Sequence, residues 1–168
     1  MAVDEVPETG RHVELTADPE ARAAIAGLAG VVGLPRLSAE FELTRHGHGG
    51  VRVRGLVSAT IDQTCVVTLE PIRSEIEEPI EVLFVPQPDG APDKSRDAPP
   101  ADAEDPPEAL EGGIVDLGAV AIEFLLLGID PYPRKQDAVF ASAPAGDPAA
   151  RPFAALASLK SDQGKKDH

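Results

Sequence analysis

The sequence predicts an α+β fold, an antiparallel sheet of about four to six strands packed with two helices. Three observations predict it. Apolar residues alternate with polar ones over several stretches between Leu37 and Phe84, two other segments pair a capping residue with helical spacing, and a sharp corner carrying the only cysteine joins two of the alternating runs. The rest of the chain is organised around that joined stretch, Val51 to Val85.

Taken in order, Val13 and Leu15 among polar residues suit a short edge strand near Arg11 to Leu15. The first helix is predicted over Pro19 to Ala29. Asp18 offers an oxygen to its free N–H groups, Pro19 sits in the first turn where its missing N–H costs nothing, and Gly30 closes it in a left-handed conformation. Leu37, Ala39, Phe41 and Leu43 then alternate with polar residues, and Val51, Val53, Gly55, Val57, Ala59 and Ile61 resume the pattern after the glycine-rich His46–Gly50. This is an antiparallel hairpin. Arg45, Arg52 and Arg54 are expected on its wet face as a small positive spot.

A further strand, with Ile76, Ile80, Val82 and Phe84 turned one way, begins near Glu70 or Ser74 and contains Pro79. A proline donates no ladder hydrogen bond, so this strand belongs at an edge or is bulged there. Residues 86–113 hold eight acids, two bases and a single leucine, and are expected to be a disordered acidic insertion. After it, Asp116 caps a buried helix over Leu117 to Leu127, stopped by Gly128 and Asp130-Pro-Tyr-Pro133. Residues 1–140 are thus expected to form one domain, and 141–168 a flexible tail with a short helix over 152–160.

Composition bounds the function. The 168 residues include no Trp and five Phe, so the core must be built of small aliphatic side chains. A formal charge of −14 repels phosphate backbones and anionic lipid, which argues against DNA, bare RNA over a wide surface, or a membrane. One cysteine forms no internal disulfide, the start of the chain lacks a secretion signal, and the apolar run Leu117 to Ile129 is too short to span a bilayer. A cytoplasmic protein is expected.

Three segments resemble the YceD family of bacterial and plastid proteins, the large ribosomal RNA subunit accumulation proteins. They are Cys65-Val-Val-Thr68-Leu69-Glu70-Pro71, then Asp116-Leu117 leading to Glu123-x-Leu125-Leu126 and Pro131-x-Pro133, and finally Pro152-Phe153-x-x-Leu156-x-x-Leu159. Some relatives carry a second cysteine where Thr68 stands, and Val67 replaces a usual arginine. The resemblance implies an α+β domain with no known catalytic activity, connected with accumulation of large-subunit (23S) rRNA. A basic ribosomal protein or a pre-50S rRNA element is the expected partner.

No catalytic, cofactor or metal motif is expected among the candidates. Cys65 reads as a small core residue, because no spacing ties a histidine base to it. One cysteine rules out a four-thiolate zinc site within a single chain. His46 and His48 read as turn residues. Asp116 reads as a cap and Glu123 as an ion-pair partner for Arg45, Arg52 or Arg54. The rival readings are a small hydrolase or transferase using Asp116 and Glu123, and an adaptor unrelated to ribosomes.

Overall fold

The computed structural model describes residues 1–47, 49–86 and 107–140. Two compact units divide at Lys135 and Gln136. The first carries every regular element among the described residues, and residues 136–140 of the second form an irregular segment. The predicted helix over 152–160 and His48 lie outside the described residues.

Strands β1 (Arg11–Thr16), β2 (Gly33–His46), β3 (Gly50–Thr64) and β4 (Pro71–Pro86) pair in chain order as an antiparallel meander. A fifth strand, β5 (Glu108–Leu110), completes the sheet beside β4. The alternation read from the sequence is the sheet's two faces. Leu37, Ala39, Phe41 and Leu43 lie directly across from Ala59, Val57, Gly55 and Val53, and each of these residues but Gly55 contributes a buried side chain. Gly55 is the exception, for a reason of space: a Cβ there would collide with the Glu40 carbonyl oxygen and come within 3.2 Å of the Phe41 ring. Only a glycine lets Phe41, which is wholly buried, lie across β3.

Helix α1 (Pro19–Ala29) is capped as the sequence indicates. The Asp18 carboxylate accepts the Ala21 N–H at 2.8 Å, and Gly30 ends the helix at φ 67°. Its Ala26, with the half-buried Ile25, joins the core on the dry face of the sheet. Helix α2 (Leu117–Gly128) begins at Asp116, which accepts the Ala119 N–H at 3.1 Å, and buries Leu117, Val120, Ala121 and Leu125 in the same core. It runs one residue beyond the predicted end. Its last residue, Gly128, lies against Glu78 of β4, whose side chain occupies the space a Cβ would need.

Pro79 sits opposite Leu56 in a register that runs unbroken from Val51↔Phe84 to Thr64↔Pro71. The pairing of β5 reaches only Phe84 to Pro86, so Pro79 lies on the open edge of β4 and needs no bulge.

Two expectations are corrected. The stretch 86–113 was expected to bury almost nothing, yet Glu108–Leu110 pair with β4 in parallel and Leu110 is 8% exposed. One leucine flanked by backbone hydrogen bonds is enough when a strand edge is already in place. Residues 87–106 lie outside the described residues. The second correction is Arg45, which lies across from Val51 and so continues the parity of Leu43 and Phe41. It stands on the rim of the dry face, where its guanidinium donates to the carbonyls of Val6 (2.6 Å) and Asp4 (3.0 Å). Those bonds tie down a first segment whose Val3 and Val6 are buried and whose backbone pairs with Gly113 and Val115.

Candidate functional site

The family-type residues separate into two places. Cys65, Thr68, Leu69 and Pro71 form the corner between β3 and β4, and the turn after α2 closes over it. The Val66 N–H donates to the Pro133 carbonyl at 3.0 Å, the Gln63 side-chain amide donates to the Asp130 carbonyl at 2.9 Å, and the Lys135 ammonium meets Glu70 at 2.9 Å. Segments more than 60 residues apart in sequence are thereby stapled together, with Pro133 buried and Pro131 exposed. That lysine, and then the Thr68 side chain, hold the Glu70 carboxyl below its ordinary value.

Cys65 is fully buried at the centre of this corner. Its sulfur accepts the Thr68 N–H at 3.4 Å. A hydrogen bond from the Thr68 side chain, helped by backbone N–H groups of Thr68, Lys135 and Val67, lowers the thiol from 9.0 to about 6, while burial opposes the shift. Donors converging on sulfur are what a turn needs to hold its shape, and no histidine hydrogen-bonds to this sulfur among the described residues. Leu69 completes the turn at φ 60°, a left-handed conformation rare for leucine, with its side chain 77% exposed. Sequence reading found the corner by its residues but gave no sign of that strain.

The second place is the wet face of the sheet with its edge toward α2. Arg52 and Arg54 are on this face as predicted, but they are not a free positive spot. Both donate to one Glu81 oxygen, Arg52 at 3.0 Å and Arg54 at 2.8 Å, and Arg54 above all holds the Glu81 carboxyl below its ordinary value. Arg73 clamps Asp62 through two hydrogen bonds of 2.7 and 2.9 Å and lowers it in turn. Arg36 does the same to Glu75 at 2.8 Å, with the Thr60 hydroxyl also donating to that carboxylate. His12 lies between Glu42 (2.7 Å) and Glu14 (3.1 Å), which raise its pKa above 6.5, Glu14 more strongly. Each arginine of this face is spent on a carboxylate across the strands, a pattern that fixes register and keeps the surface negative.

Asp116 and Glu123 both line a groove of about 780 Å³ between α2 and the ends of β4 and β5. Asp116 is the predicted cap. Glu123 is exposed, and among the described residues no cation pairs with it, which corrects the ion pair expected from the sequence. The structure brings these two acids to one opening with Glu81 and Glu108, but Cys65 is not part of it. Sequence reasoning missed Phe84, Glu108 and Ile114 as its walls. The missing signal was β5, too short to show a period. Among the described residues no three His, Cys, Asp or Glu side chains are grouped to hold a metal ion, and no helix is long and apolar enough to cross a membrane.

Fold and surface together define the class: an α+β protein on an antiparallel meander, with an acidic, ion-paired sheet face and a groove beside its second helix. The family model described as large ribosomal RNA subunit accumulation protein YceD matches residues 53–160, and the chain belongs to that family. The match takes in the Cys65 corner, β4, β5 and α2. Searches of the curated proteins and of the solved structures found no match.

Proposed function

We propose that this protein is a non-enzymatic, cytoplasmic factor that supports accumulation of large-subunit rRNA by binding a basic protein component of the assembling particle. The family's name supplies the process. One observation carries the choice of partner: Arg45 is turned onto backbone carbonyls at the rim of the opposite face, and Arg52 and Arg54 are drawn onto Glu81, so the three do not gather into a positive spot that would meet a phosphate backbone. A molecule with a formal charge of −14 attracts cations over its whole surface, and partners held by such a field dissociate as salt screens it.

Deleting the gene and measuring mature and precursor large-subunit rRNA tests the role. Reduced mature rRNA is expected, and unchanged levels with a normal ribosome profile end the proposal. Capture from a low-salt lysate tests the partner. Basic proteins of the large subunit are expected to be retained after nuclease treatment, and their loss on nuclease treatment would place RNA as the direct contact.

A further inference from the structure

We infer that the groove between α2 and the β4–β5 end binds a lysine- or arginine-rich protein segment studded with apolar side chains. The inference rests on the assembly reading for the source of that segment. Its site and chemistry rest on the groove itself.

Two exposed apolar side chains from different elements flank this one opening, Ile114 at 60% and Leu127 at 73% exposure, with the half-buried Phe84 and Phe124 between them. Single exposed apolar residues are ordinary, but four converging on a concave surface are a place for apolar anchors. The lining also holds Glu81, Glu108, Asp116 and Glu123 against one guanidinium, Arg52, which is itself bound to Glu81. The positive end of the α2 dipole does not offset this charge, because the Asp116 carboxylate already caps it.

Residues 87–106, with six acids and two bases, follow Pro86, two residues after the groove residue Phe84, and precede Pro107, the neighbour of the groove residue Glu108. A nucleic acid or an acidic peptide meets repulsion here. Cationic side chains of the segment meet the acidic rim and set its approach and orientation, while anchors seated on the aromatic floor supply affinity.

The test uses the full chain and a fluorescent peptide of alternating lysine and leucine, read by anisotropy. Binding that weakens as salt rises is expected, with peptides of lysine and serine, or glutamate and leucine, at least about tenfold weaker. Leu127→Ser, and separately Glu108→Lys with Glu123→Lys, are each expected to weaken binding at least about tenfold with an unchanged circular-dichroism melt. Glu40→Lys with Glu77→Lys, on the wet sheet face, is expected to change it little.

Equal loss from the sheet-face pair would show unspecific charge attraction and overturn the site, as would groove variants without effect. Groove-dependent binding of an rRNA hairpin overturns it as well. So does a dimer that Leu127→Ser splits, or peptide binding that appears only once residues 87–106 are removed, since a second copy or the chain's own segment would then be the occupant. The two proposals fail separately. Normal rRNA after gene deletion with groove-dependent peptide binding fails the role and keeps the site, and the reverse pair of results fails the site and keeps the role.

Discussion

His12 shows how much a single side chain's neighbours decide. Its imidazole bridges Glu42 and Glu14 across β1 and β2, and both carboxylates favour the charged ring. A group whose folded pKa is raised stabilises the folded state below its unfolded pKa, and that contribution fades as pH rises through the folded value. His12→Ala is therefore expected to lower the urea midpoint relative to the parent chain at about pH 5.5 and to leave it unchanged above about pH 8. An equal loss at both values would mean the ring matters for packing rather than charge. Leu69 poses the opposite case, an exposed leucine at φ 60° with little to gain from its side chain in the folded state. Leu69→Gly is expected to raise stability by about 0.5–1 kcal/mol by urea titration, since the left-handed conformation costs leucine and not glycine. Loss of partner capture in that more stable variant would assign the leucine to binding.

At the scale of elements, the hairpin of β2 and β3 is held by fit as much as by hydrogen bonds. Gly55 leaves the space through which the Phe41 ring crosses the neighbouring strand, and the backbone of Glu40 forbids any larger residue. Gly55→Ala is expected to destabilise the chain by at least about 2 kcal/mol in urea denaturation, against the small gain that an alanine normally brings to a strand. A neutral result would show that β2 can slide away from β3, and the pairing of Phe41 with Gly55 would not survive it. The second helix is built differently. Its inward side is wholly apolar and its outward side carries Glu123, Leu126 and Leu127, so α2 presents more apolar surface than its packing buries, and Leu127 of that excess lines the groove.

For the whole molecule, charge is the dominant property. Pairing on the sheet face consumes the arginines there, yet carboxylates outnumber bases 29 to 15 along the chain and self-repulsion opposes compaction. The thermal midpoint is expected to rise by about a few degrees as sodium chloride screens that repulsion. A midpoint that falls with salt would mean that the cross-strand ion pairs outweigh the excess charge.

Much of this architecture was legible one element at a time. Asp18, Pro19 and Gly30 bound α1, Asp116 begins α2, and the period of two marks β2 and β3, because caps and periods depend on residues within a turn or two of one another. Even the true place of Arg45 was written in the parity of Phe41 and Leu43, although its polarity pointed the other way. Tertiary structure alone decided the rest. Glu81 meets Arg52 and Arg54 only once the β3–β4 register is set, Glu70 finds Lys135 across 65 residues, and Glu108–Leu110 become a strand only because the end of β4 offers an edge. Such contacts join positions far apart in the chain, and no local preference encodes them; they exist because a packed core has already brought their backbones together.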